Sequence, residues 1–282
     1  MHKRGVVWLS EGNPNAHRGG KNSVLRYNEY CIARRQKYPY NESKYSEAIE
    51  NVNKNGFHIF RGVVPHETIK KLSDEFELQV RLGKNLKEHN EHFTVIDQPF
   101  LNCPTTVEMA FDDMIIDVAS EYFKCTPAFG TLNFRKSYAT EKGAIKHQLF
   151  HVDPNSVKFL KFFVYLNDVE EDGGPLTIVE GSGNKKFAGW DAKYRWSKAE
   201  MQDIYGKDSV RYLTAKVGDL IVATTTCFHR GTKPEKADRT MLTLNYVMHP
   251  EEFKPPSYKI KKEDIEKLSN IKKPLVDYLI VE

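Results

Sequence analysis

Six short segments rich in β-branched and aromatic residues follow one another from about residue 129: GTLNFRKSYA, VKFLKFFVYLND, PLTIVEG, DSVRYLTAKV, DLIVATTTCF and RTMLTLNYVM. Between them lie EEDGGP, GSGNKK, VGD and GTKPEKAD, whose Gly, Pro, Asn and Asp supply turn conformations. No long helical pattern separates the strands, so the crossover helices of a parallel sheet are missing. Several short strands joined by hairpin turns suggest a closed or double-sheet β architecture, flanked by helices. One stretch interrupts the pattern. Residues 184–208, NKKFAGWDAKYRWSKAEMQDIYGKD, bring Trp190, Tyr194, Trp196 and a predicted helical turn. No internal repeat is visible.

Upstream, SKYSEAIENVNKNG reads as a short helix with Ser43 as N-cap and Gly56 as stop. FHIFRGVV is a predicted strand. The helix that follows starts at Pro65 and ends at Gly83, and its apolar residues Ile69, Leu72, Phe76 and Val80 recur at helical spacing. Residues 1–44 read as an irregular basic extension, and 251–282 as a helical tail.

Charge and cysteine content narrow the function classes. The net charge is +4, too mild for a dedicated nucleic-acid binder. The excess is local: eight Lys and Arg stand against Glu11 and Glu29 within residues 1–40. That arm is a weak candidate for touching a polyanion, and a solvated tail is the simpler reading. Cys31, Cys103, Cys125 and Cys227 are too scattered for a zinc knuckle or a disulfide scaffold, which points to a reducing, cytoplasmic setting. No secretory pattern follows MHKRGVVWLSEGN. No apolar run approaches the roughly 18 residues of a membrane helix. Nothing in the sequence indicates an oligomeric state.

The chemistry concentrates in QLFHVDPNSVKFLKFFVYLND. In an extended segment, side chains two apart share a face, so His151 and Asp153 point the same way, about 6.6 Å apart at about 3.3 Å per residue. Pro154 favours that extended backbone. By itself an HxD pair is common polarity at a strand end. A second element changes the weighting. The apolar run Leu220 to Phe228 delivers His229, the turn GTKPEKAD follows, and Arg239 opens the next strand. In a hairpin, Arg239 would face His229 across the turn. Two histidines and a carboxylate form the facial triad of non-haem Fe(II) oxygenases, and an arginine fork suits a carboxylate just beyond the metal. A dicarboxylate that chelates iron and meets Arg239 would be 2-oxoglutarate.

The spacing set HVD, then His229, then Arg239 ten residues on, resembles the phytanoyl-CoA dioxygenase family of Fe(II)/2-oxoglutarate oxygenases. DVEEDGGPLTIVEGSG, VGDLIVATTTCFHRG and KNGFHIFRGVVPHETIKKLSDEF resemble further family elements, and the resemblance covers about residues 45–250. It implies a double-stranded β-helix, the jelly-roll or cupin-like core, at about 129–250. It also implies His151, Asp153 and His229 as iron ligands and Arg239 as partner of the distal carboxylate of 2-oxoglutarate. Gln148 and Ser156 stand where the family often contacts this cosubstrate. The implied reaction is hydroxylation of a small or medium organic substrate by O₂, with release of succinate and CO₂. Asp153 fits hydroxylases rather than halogenases, which replace the carboxylate. One departure is plain: the usual Gly-Ser-His is Gly181-Ser182-Gly183 here.

Other polar residues have competing readings. Asn133 and Arg135 share a strand face and either enter the barrel toward an anionic ligand or stay outside. Trp190, with the rest of the insert, either covers the substrate or packs on the barrel's exterior. His147 reads as a solvated loop histidine, Cys227 as a buried structural thiol, and Lys158 and Lys161 as surface lysines. A metal-binding jelly-roll protein without turnover, or a cupin-type metalloenzyme that does not use 2-oxoglutarate, would share the triad.

Overall fold

The computed structural model describes residues 28–153, 158–248 and 257–282. A first helix, α1, occupies 28–37, where an irregular extension was expected. After it come α2 (Ser46–Asn55), β1 (Phe57–Phe60), α3 (His66–Leu82), β2 (Leu86–His89), β3 (Phe93–Ile96), α4 (Pro99–Asn102), α5 (Thr105–Ala110) and α6 (Asp113–Phe123). The β-rich half holds β4 (Ala128–Ser137), β5 (Phe159–Tyr165), β6 (Leu176–Val179), β7 (Val210–Leu213), β8 (Leu220–Ala223), β9 (His229–Gly231) and β10 (Arg239–Val247), with α7 (Lys198–Tyr205) between β6 and β7. All six strand segments predicted from residue 129 onward form strands.

Strands β1 to β10 make two sheets. The larger has the order β1-β8-β5-β10-β4-β3-β2, the smaller β7-β6-β9, and the pairing within both is antiparallel. Alternation along β5 shows the layering. Leu160, Phe162 and Val164 join the core under the helices, with Ile69, Leu72 and Phe76 of α3 and Ile115, Val118 and Phe123 of α6. Phe163 and Tyr165 face the other way, onto Leu176, Ile178 and Leu213 of the small sheet. The larger sheet is thus buried on both faces. A third cluster (Phe150, Val152, Val179, Phe187, Trp190, Met201, Val210 and Phe228) lies apart from the intersheet core. There the 184–208 insert packs against the small sheet.

Helix α2 starts later than its sequence suggests. Ser43 is not the cap; Tyr45 holds that position with no side-chain cap of its own. Instead the Glu121 carboxylate on α6 accepts the Tyr45 N–H at 2.8 Å and the Ser46 hydroxyl at 3.1 Å. A neighbouring helix does the capping, which no local pattern encodes. The tail is only partly helical. It contains β11 (Lys259–Ile260), α8 (Lys262–Glu266) and β12 (Ile280–Val281), with β11 and β12 paired in parallel. Arg34 of α1 ties the tail down. Its guanidinium donates to Thr126 O, Pro127 O and Pro274 O, and pairs with Asp277 at 2.9 Å. No described helix is long and apolar enough to cross a membrane, and the four cysteines are buried and form no disulfide.

Candidate metal centre

Two extended segments build the centre. The His151 N–H donates to His229 O and the His229 N–H to His151 O, both at 2.9 Å, which sets the histidines side by side. The Asp153 N–H donates to Thr225 O at 3.1 Å. Phe150, Val152 and Phe228 alternate with the polar residues and go to the third cluster, so His151, Asp153 and His229 share the opposite face. One ligand atom from each of the three lies within 4.8 Å of the others. His151 Nε2 is 3.5 Å from Asp153 Oδ1, and His229 Nε2 is 3.3 Å from Asp153 Oδ2.

The backbone selects the tautomers. His151 Nδ1–H donates to Leu149 O at 2.8 Å and His229 Nδ1–H to Cys227 O at 3.1 Å. Both Nε2 lone pairs therefore turn toward Asp153, as a metal-binding imidazole requires. Burial pulls His229 down to about 4, which keeps it neutral. Burial alone would raise Asp153, but the Lys161 charge and the two imidazoles hold it well below the usual carboxylate range. Two imidazole Nε2 atoms with an ionised carboxylate are the donor set of a divalent transition metal.

Lys161 and Thr225 complete the surroundings of Asp153. The Lys161 ammonium is 2.5 Å and the Thr225 hydroxyl 2.7 Å from Asp153 Oδ2. The surface reading of Lys161 is wrong: its side chain is only 14% exposed. Lys158 is not a plain surface lysine either, since its ammonium lies 3.9 Å from the Tyr122 ring centre and donates to Tyr122 O. An odd-numbered lysine among inward-facing Phe159, Phe163 and Tyr165 was the available signal for Lys161.

Arg239 reaches the centre by a different route from the expected hairpin. His229 belongs to β9 in the small sheet, while β10 pairs with β4 and β5 in the large one. The run Leu220–Phe228 is not one strand. It leaves the large sheet after Ala223, and Thr224–Thr226 carry it across to the small sheet. Arg239 thus faces β9 across the sandwich. A Cβ at Gly231, two residues beyond His229, would lie 3.3 Å from Arg239 Nη2, so the glycine lets the guanidinium close onto β9. Arg239 is 2% exposed. Its Nη2 donates to Ser137 Oγ at 3.3 Å, while Nε and Nη1 are buried without a partner. Buried N–H groups of a cation left open in this way suit an anion.

Arg135 stands beside it, opposite Met241 in the β4–β10 register. Its Nη1–H donates to His147 Nε2 at 2.6 Å and its guanidinium lies 4.7 Å from the Phe93 ring centre. Burial, then the Arg239 charge, pulls Arg135 down to about 10. His147 is therefore no solvated loop residue. Burial and the neighbouring arginines pull it down to about 2, so it stays neutral and accepts from Arg135. Asn133 shares this strand face and is half-buried. Gln148 is 2% exposed and its Oε1 accepts the Ile145 N–H at 2.8 Å. Ser156 lies outside the described residues. Trp190 is 2% exposed and packs on Phe228, on the face away from His229. Cys227 is a buried thiol of the intersheet core. A Cβ at Gly183 would lie 3.0 Å from its sulfur and 3.2 Å from Thr226 Oγ1, so the position is tight for any larger side chain.

No family model matches the chain. The dioxygenase cdmD of Talaromyces verruculosus is 24% identical over 272 residues, covering 83% of this chain and 83% of that protein. Among solved structures, EctD from S. alaskensis with 2-oxoglutarate and 5-hydroxyectoine superposes with a TM-score of 0.57 at 16% identity, over 73% of this chain and 78% of that one. The epimerase SnoN, in complex with Fe3+, alpha ketoglutarate and nogalamycin RO, gives 0.53 at 15% identity, over 72% and 82%. At these identities the likeness carries the fold: this chain has the jelly-roll core and flanking helices of those enzymes.

Proposed function

We propose that this chain is an Fe(II)- and 2-oxoglutarate-dependent oxygenase, of the phytanoyl-CoA dioxygenase-like type, that hydroxylates a small or medium organic substrate. One observation carries the reading. Two histidine Nε2 atoms and an Asp153 oxygen converge within 4.8 Å, and a buried, partly unpartnered guanidinium stands two strand positions further along β9. Iron and 2-oxoglutarate, when bound, supply oxidation of an unactivated C–H bond by O₂ with release of succinate and CO₂.

The residues of this chain do the rest. His151, Asp153 and His229 hold the metal from one side and leave the other side free for ligands. Arg239 receives the distal carboxylate of 2-oxoglutarate, and Gln148 and Ser156 are assigned to the same cosubstrate. Asn133 and Arg135 line the wall assigned to the substrate, while Trp190 supports the site from behind. The intersheet core under Phe163 and Tyr165 keeps water from the back of the cavity. Four buried thiols, none in a disulfide, suit a reducing compartment such as the cytoplasm.

The test is succinate release from 2-oxoglutarate with Fe(II) and O₂ across pools of organic compounds. His151→Ala, Asp153→Ala and His229→Ala are each expected to abolish it, and Arg239→Ala to raise the KM for 2-oxoglutarate by about tenfold or more, the loss of a charge-assisted carboxylate contact. Full activity in all three triad variants would remove the metal assignment. An unchanged KM in Arg239→Ala would point to a metalloenzyme that does not use 2-oxoglutarate. Metal binding with no succinate under any condition would point to a non-catalytic jelly roll.

A further inference from the structure

Arg135 and Arg239 place two guanidinium groups on one inner wall, and 2-oxoglutarate offers a single distal carboxylate between them. We propose that Arg135, backed by His147 and Phe93, binds a carboxylate or phosphate group of the substrate, so that the substrate is an organic anion. The inference rests on the 2-oxoglutarate reading and adds the charge of the substrate to it.

The charge balance of the wall drives the argument. Asp153 is the nearest acid of the centre, and Lys161 already neutralises it at 2.5 Å. Among the described residues no carboxylate pairs with either guanidinium; Glu88 on β2 acts on Arg135 only through space. The two arginines repel each other, and burial penalises both. Charges that are buried and unpaired persist where a ligand supplies the counter-charge. One carboxylate at Arg239 leaves Arg135 uncompensated.

The geometry separates the two arginines. Arg239 is deep, wedged against Gly231 and Ser137. Arg135 is half-buried and held by other groups: His147 accepts from Nη1 at 2.6 Å, and Phe93 covers one face of the guanidinium plane. These contacts fix the fork but leave Nε enclosed and without a partner. A neutral histidine that only accepts orients the cation without cancelling its charge.

Arg195 comes from the insert. Trp196 pairs with Phe150 by two backbone hydrogen bonds, of 2.8 and 2.9 Å. Both side chains go to the aromatic cluster, and Arg195, next in the chain, lies with its guanidinium 3.9 Å from the Tyr194 ring centre and donates to Tyr194 O at 3.2 Å. Arg195 also acts on His147 electrostatically. Arg195 thus adds positive charge near His147, the partner of Arg135, from a different element.

The experiment uses the full chain loaded with Fe(II) and 2-oxoglutarate in the absence of O₂, titrated calorimetrically with inorganic phosphate and, separately, with propionate. The expected result is that one of these anions binds the loaded wild type. Affinity then falls about tenfold or more in Arg135→Met, is partly kept in Arg135→Lys, and falls roughly threefold in Arg195→Gln. The affinity for 2-oxoglutarate stays within about threefold of wild type in all three variants. Whichever anion binds more tightly identifies the group as phosphate or carboxylate. The proposal is overturned if neither anion binds, or if Arg135→Met binds them as wild type does. It is also overturned if Arg135→Met loses 2-oxoglutarate affinity about tenfold, which would make Arg135 a second arm of the cosubstrate clamp. Should Arg135→Met not fold, phosphate and propionate binding unchanged in both Arg135→Lys and Arg195→Gln overturns it. Failure of wild type to bind 2-oxoglutarate is a separate outcome, and removes the underlying reading instead.

Discussion

Replacing Lys161 by methionine removes the cation from a buried pair and leaves its anion behind. The ammonium is 2.5 Å from Asp153 Oδ2, and the two side chains are 14% and 16% exposed. Water cannot take over the ammonium's role, and the Thr225 hydroxyl at 2.7 Å supplies a hydrogen bond but no charge. Breaking a buried pair in this way costs about 3–5 kcal/mol. At about 2–3 °C per kcal/mol for a domain of this size, melting should fall by roughly 6–15 °C. The measurement is thermal unfolding followed by circular dichroism, in EDTA and in saturating Mn(II). In EDTA the variant should show the full deficit. In Mn(II), the dication at His151, Asp153 and His229 restores positive charge beside the carboxylate, so the deficit should shrink to about half or less, because a ligand of the folded state adds its binding energy to stability. Lys161→Arg, which keeps the charge, should melt near wild type in both. A methionine variant as stable as wild type in EDTA, or a deficit that metal leaves unchanged, would refute this account of Asp153.

Two further outcomes follow from the packing. Gly56 has φ +99°, and a Cβ there would lie 2.5 Å from Cys227 Sγ, so Gly56→Ala should cost about 2–4 kcal/mol in urea unfolding, from left-handed strain plus overpacking. Adding Cys227→Ala should recover the overpacking share alone, and an additive double variant would contradict it. Burial pushes the Lys158 ammonium down to about 8, below its ordinary 10.5. The unfolded chain then holds a proton between pH 8 and 10.5 that the folded chain has released. The destabilising charge is fully present below pH 8 and is relieved as pH rises through that window. The stability of wild type relative to Lys158→Met should therefore climb from pH 8 to 10; a flat difference would count against it.

Strand content was legible because period-two patterning and turn residues are local properties. The candidate set was legible for the same reason: His151 and Asp153 share a face of one extended segment whatever it pairs with. The partnership of His229 and Arg239 was readable as a spacing and unreadable as a geometry. An apolar run from Leu220 to Phe228 looks like one strand, and only tertiary pairing shows that it changes sheet at Thr224–Thr226. Lys161 and His147 were misplaced because a side chain's burial depends on what arrives across the sandwich, here Asp153 and Arg135. The Glu121 cap on α2 and the Arg34 anchor on the tail join positions distant in sequence, and no window of the chain contains both ends.

The alternation of Phe150, Val152 and Phe228 with His151, Asp153 and His229 gives the ligand segments a second duty. Their reverse side is the floor on which Trp190, Phe187 and Met201 rest. The insert therefore acts as a buttress for the segments that carry the candidate metal centre. Its outward residues, Tyr194 among them at 49% exposure, are outside the third cluster. Its inward aromatics are not, and a lesion at Trp190, remote from any ligand atom, would surface as poor metal retention before any change in selectivity.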